Sequence, residues 1–244
     1  MKKFLSLTIL FLLVLAGVSN AGTAKRYAVE RDVTATVKKD LAMKYDPDAG
    51  LEGRRCLDGR PFADGMERID FWASMECPYC GIRELLKAQQ AHPDWCIIVR
   101  HRPSSPEGLR KALAFEALKK HSSSAAVMFW DAVIPKANLP VPHPYESALI
   151  QAYSEASISQ EDFAATLEGE ASAIVRSDAE TGKSFVKSTP TYVLRGIRFG
   201  SCDFTAKQLE GALALARKAR DGDAEAVREV IKVITRGRMN EKML

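Results

Sequence analysis

The sequence predicts an α/β fold with an all-helical subdomain inserted into it. Three observations carry this reading. First, Glu67–Ala73 and Trp95–Arg100 read as buried strands joined by a helix-patterned segment, a βαβ unit whose strands run parallel. Second, residues 103–185 show helical periodicity and no convincing strand. Third, strand signals return at Thr191–Phe199 and are followed by amphipathic helices. The 244 residues suffice for one sizeable core with an inserted subdomain.

Residues 1–21 read as a secretory signal peptide. Lys2 and Lys3 are followed by the apolar run Phe4–Val18, then Ser19-Asn20-Ala21 supplies small residues for cleavage near Ala21. The run is short for a membrane anchor, and no basic stop-transfer segment follows. The expected location is therefore the periplasm, where disulfides persist. The net charge of +4 loses two lysines on cleavage. A near-neutral chain of mixed charge gives no reason to invoke nucleic acid.

Residues 22–57 form an N-terminal arm. Val29, Val33, Val37 and Leu41 are spaced for a helix over about 30–45, although Val33–Val37 also alternates like a strand. Asp46–Gly50 breaks it. The arm is either a cap on the core or an oligomerisation arm. After the turns at Asp58-Gly59 and Asp64-Gly65, the first strand leads into an expected helix Cys77–His92. In the inserted block, helices are expected from Pro106 to Lys120, over Ser122–Ile134, Tyr145–Ala156 and Gln160–Leu167, and over Ala171–Gly182. Leu139–Pro144 is a break. A hairpin turns at Gly196. The helix Phe204–Arg220 follows, then a C-terminal helix in residues 221–244, over Asp223–Thr235 with Gly237 as its stop.

Cys77-Pro78-Tyr79-Cys80 carries the chemistry. A thiol in the first turn of a helix lies beside unpaired backbone N–H groups, which favour the thiolate. A second thiol three residues on can close a disulfide with it. Pro78 is tolerated in a first helical turn.

With Ser188-Thr189-Pro190-Thr191 entering the hairpin over a hundred residues later, this chain resembles the thioredoxin fold, and specifically its DsbA-like branch, over about 58–220. The resemblance implies a thioredoxin-like domain of residues 58–102 and 186–220, with 103–185 inserted. It implies a cis peptide bond at Pro190, with the Thr189 backbone turned out to pair with an extended substrate. It also implies thiol:disulfide exchange with unfolded or misfolded exported proteins through a mixed disulfide at Cys77, with Cys80 as resolving partner. A membrane redox partner would recycle the thiols. The redox-active disulfide stands in place of a cofactor.

The expected tuning conflicts. Tyr79 stands where typical DsbA proteins have His, and Glu76 disfavours the thiolate if it points at Cys77. Arg83, Arg100, His101 and Arg102 offset this if they face the thiols. Thr189 is the residue of DsbC-like isomerases, where typical DsbA oxidases have Val. The first choice is a DsbA-like oxidase. An isomerase or reductase, acting as a homo-oligomer through the arm, comes next.

Five cysteines follow the leader. Cys56 and Cys96 fall at the end of the sheet away from the thiol pair, where they form either a structural disulfide or two buried apolar thiols. Cys202 is expected to be unpaired or buried rather than catalytic. The histidines His92, His101, His121 and His143 are scattered, so no metal ligand set is assigned. A copper-handling protein using Cys77 and Cys80 is the reading from another class.

Overall fold

The computed structural model describes residues 23–46, 48–135, 144–202 and 204–241. The expected signal peptide lies outside these residues, as does most of the break at 139–144. Among the described residues, no helix is long and apolar enough to cross a membrane.

A helix, α1 (23–42), opens the described chain. The helical spacing of its valines outweighs their strand-like alternation: Val29, Val33 and Val37 bury one face against the main core. Its end is held by Arg220, whose guanidinium donates to the carbonyls of Asp40, Leu41 and Met43 at 2.8, 3.0 and 2.8 Å. Cationic donors suit the carbonyl end of a helix.

Four strands make one sheet: β1 (Glu67–Ala73), β2 (Trp95–His101), β3 (Thr191–Leu194) and β4 (Ile197–Gly200). Their spatial order is β2-β1-β3-β4. β1 and β2 are parallel, with Phe71 opposite Val99. β3 runs antiparallel to β1, and β4 to β3.

Helix α2 (Arg83–Ala91) links β1 to β2. Between β2 and β3 come α3 (Pro106–His121), α4 (Ser123–Val133), α5 (Tyr145–Ala156), α6 (Gln160–Thr166) and α7 (Ser172–Phe185). α8 (Ala206–Arg220) and α9 (Ala224–Glu241) follow the hairpin. Serine and threonine set several helix starts: Ser105, Ser122, Ser159 and Thr205 each accept a backbone N–H with their side chain.

The two faces of the sheet differ. Ile69, Phe71, Ile97, Val99, Tyr192 and Leu194 alternate onto the face of the main core. The opposite face carries Arg68, Asp70 and Arg100. There Asp178 of α7 receives Arg54 at 2.6 Å and Arg100 at 3.3 Å, while Asp70 receives Arg100 at 2.7 Å and Arg68 at 2.8 Å. All five side chains are buried. This paired network joins the approach to β1, both parallel strands and the inserted helices. Cys56 and Cys96 lie on the same face and are joined by a disulfide with a Cα–Cα distance of 5.0 Å.

Apart from α1, which begins at 23 and not near 30, three helix boundaries depart from the sequence expectation. α6 and α7 are not separate helices, because a π-helical turn at Leu167–Ala171 carries one into the other. α9 continues past Gly237, which is a packing glycine and not a stop: a Cβ there would lie 2.8 Å from the Cys202 sulfur. α2 starts at Arg83, six residues after Cys77. Gly81 weakens a helix at that point, and the Cys80 carbonyl accepts the indole N–H of Trp130 at 2.8 Å.

Candidate active site

Cys77 and Cys80 occupy a hydrogen-bonded turn between β1 and α2, not the first turn of the helix. The Cys77 N–H donates to the Ser74 carbonyl at 3.0 Å, and the Cys80 N–H to the Cys77 carbonyl at 3.1 Å. Pro78 therefore serves this turn and not a helical N1 position. Cys77 is half-buried, Pro78 and Tyr79 are exposed, and Cys80 is fully buried. Burial pushes the Cys80 thiol far up, and the hydrogen bond and charge of Cys77 add to the rise. The outer sulfur is thus the one that meets solvent, and the inner one is held in its protonated form when reduced.

The hairpin brings the second wall. The Thr189–Pro190 peptide bond is cis. The Cys77 thiol donates to the Thr189 carbonyl at 3.3 Å, across 112 residues of sequence. Behind this loop, the Ser201 N–H donates to the Pro190 carbonyl at 2.9 Å, and the hydroxyls of Ser188 and Ser201 bond at 2.9 Å.

A groove of about 780 Å³ opens beside these residues. Tyr79, Thr189 and Pro190 form its end nearest the thiols, and Phe204, Leu215 and Val233 supply much of its apolar wall. Cys202, only 4% exposed, also lines it. The periodicity of α8 and α9 showed apolar faces, but nothing in it marked Leu215 and Val233 as groove residues.

The charged neighbours are placed otherwise than expected. Glu76 turns away from Cys77. Its carboxylate accepts the N–H and hydroxyl of Ser104 at 3.0 and 2.6 Å, and the hydroxyl of Ser105 at 2.5 Å. Partial burial alone would raise this carboxyl, yet the bonds from Ser104 and Ser105 hold it below its ordinary value. Arg100 is engaged by Asp70 and Asp178 on the far face of the sheet. Arg83 pairs with Asp131 at 2.6 Å. His101 does not line the thiol turn either. Its ring bonds Glu116 at 2.8 Å and packs on Phe115 and Trp130 inside the helical block. Alternation along β2 sends Arg100 and His101 to opposite faces, so one strand end could not aim both at the thiols.

Trp130, Ser104, Ser105 and Gly108 were not singled out from sequence. Trp130 looked like one apolar position of an amphipathic helix, and the serines looked like a helix start. Only the turn's placement against α3 and α4 gives them contact with it. Among the described residues, no three of His, Cys, Asp and Glu cluster as a metal ligand set.

A mixed four-stranded sheet, a two-thiol turn after its first strand, a cis-proline loop against it and helices inserted between β2 and β3 define a thioredoxin fold of DsbA-like layout. No protein-family model and no curated protein matches the chain in sequence. Solved structures match it in fold. A thioredoxin-like oxidoreductase from Silicibacter pomeroyi DSS-3 superposes with a TM-score of 0.51 at 19% identity, over 68% of this chain and 93% of its own. A linker-deleted variant of Proteus mirabilis ScsC does so with a TM-score of 0.51 at 16% identity, over 84% of this chain and 94% of its own.

Proposed function

We propose that the protein is an exported, periplasmic thiol:disulfide oxidoreductase acting on protein substrates, and that it works as a DsbA-like oxidase. The carrying observation is the half-buried Cys77 thiol set 3.3 Å from the carbonyl of Thr189, at the end of an open apolar groove. An extended, unfolded polypeptide offers both the backbone groups that the cis-proline loop can pair with and apolar side chains for the groove.

In the oxidised enzyme, a substrate thiolate attacks the Cys77 sulfur of the Cys77–Cys80 disulfide. The Cys77–Cys80 bond breaks, and Cys80 leaves as a thiolate and takes a proton. Its buried setting favours that neutral form. A second substrate thiolate then attacks the substrate sulfur of the mixed disulfide, and Cys77 leaves. The substrate has lost two electrons and the enzyme has gained them. A membrane redox partner that accepts two electrons restores the disulfide.

An isomerase or reductase is the second reading, favoured by Thr189 preceding cis-Pro190. Oxidised protein should form disulfides in a reduced, unfolded substrate, and Cys77→Ser should abolish this. No turnover together with tight Cu(I) binding would replace the proposal with the copper-handling reading. Refolding of a scrambled-disulfide substrate, combined with the particle mass in solution, separates the first two: a monomer inactive in refolding excludes the isomerase.

A further inference from the structure

The Glu76 carboxylate occupies the space that a side chain at residue 108 would fill. A Cβ built on Gly108 would stand 2.3 Å from Glu76 Oε2 and 2.6 Å from its Cδ. Gly108 is the third residue of α3, and its N–H donates to Ser105 Oγ at 3.0 Å, while the Ser105 hydroxyl donates to Glu76. The carboxylate therefore sits at the start of a helix it does not belong to. It is bonded to both serines before that helix and seated over a missing side chain. The favourable field at a helix N-terminus adds to the anchoring.

We infer that Glu76 is a positioning residue for thiol exchange: it latches the Cys77–Cys80 turn to the N-terminus of α3, so that the inserted helices set the pose of Cys77 against Thr189. This rests on the exchange reading above. Glu76 immediately precedes Cys77, and the turn's other bond to the helical block is that of Trp130 on the Cys80 carbonyl. The turn is thus held to the helical block from both sides, by the side chain before the first thiol and the carbonyl of the second.

The latch can be broken in two independent ways. Glu76→Ala removes the carboxylate. Gly108→Ala keeps the charge but displaces it, and the displacement is mild because only the flexible end of Glu76 must move. Alanine also favours the helix over glycine. The measurement is the equilibrium of the Cys77–Cys80 disulfide with reduced and oxidised glutathione, for the wild type, both single variants and the double variant. Positioning predicts that both single variants shift the equilibrium in the same direction by about threefold or more, and that the double variant shifts it no further than either, as expected for two residues acting through one contact. Glu76→Gln, which keeps one acceptor oxygen, should fall between. A direct charge effect predicts otherwise: Glu76→Ala alone would shift, towards the reduced form, while Gly108→Ala stayed near wild type. That pattern, or no shift in Gly108→Ala, overturns the inference. A wild type that does not exchange with glutathione at all overturns both this inference and the function it rests on.

Discussion

The indole N–H of Trp130 donates to the carbonyl of Cys80 at 2.8 Å, so a residue of the inserted helices holds the turn that carries both thiols. Trp130 is fully buried and meets Phe115 edge-on, with ring centroids 4.9 Å apart. Trp130→Phe keeps most of the ring but removes the donor. We expect a loss of about 1–3 kcal/mol in urea unfolding, the usual consequence of deleting one partner of a buried hydrogen bond. A variant as stable as wild type would show that the bond contributes nothing.

The two thiols should differ in reactivity. Cys80 is fully buried, and burial with the adjacent Cys77 raises its pKa strongly. In the reduced protein, iodoacetamide should modify Cys77 well before Cys80 at every pH where the fold persists. Mass spectrometry of timed samples checks this. Equal rates would remove the assignment of Cys77 as the outward sulfur.

Asp178 should be a costly residue to lose. It is 1% exposed and receives Arg54, Arg100 and the backbone N–H of His101. Asp178→Ala leaves two buried guanidinium groups short of a partner, at a cost of about 3–5 kcal/mol. Denaturant midpoints of the variant and the wild type decide it, and a change within the range of an ordinary surface substitution would contradict the network's role.

Acid should act through Glu116. Burial disfavours its charged form, but Lys119 and His101 more than compensate and bring the carboxyl to about 2, against an ordinary 4.5. The folded value is depressed, so the unfolded chain binds the proton first as pH falls. The stabilisation is present above about 4.5 and is lost progressively towards about 2. Glu116→Gln should be less stable at neutral pH, because buried Lys119 loses its carboxylate. Its urea midpoint should also vary less across that acid window than the wild type's.

Much of the fold was legible because its signals are local. Valines four apart marked α1, though not its start, the serines before Pro106 marked α3, and Gly196 placed the hairpin turn. The thiol turn and cis-proline loop were legible as motifs, each with residue types that few other settings require. What escaped was set by distance in sequence. Nothing in the strand Glu67–Ala73 reveals that Arg68 and Asp70 belong to a buried network that Asp178, on α7, completes. His101 follows Arg100 by one residue, yet the pleat sends it to Glu116 in another layer. Apolar spacing from Ile82 onward predicts too early a start for α2, because it does not reveal that Trp130 binds the Cys80 carbonyl. Gly237 carried the composition of a stop and the function of a close contact, and only the sulfur beneath it distinguishes the two.

The Cys56–Cys96 disulfide lies behind closed walls. Both sulfur-bearing residues are 0% exposed, in a small cluster with Ile98, Leu51, Phe62 and Met66. Disulfide exchange requires a thiolate to reach one of the two sulfurs, and this pair offers no approach while the chain is folded. A thiolate that enters the groove and meets Cys77 has no route to Cys56 or Cys96. Under the proposed exchange at Cys77, the bond that pins β2 to the approach to β1 stays out of circulation, and the fold's own wiring survives each turnover.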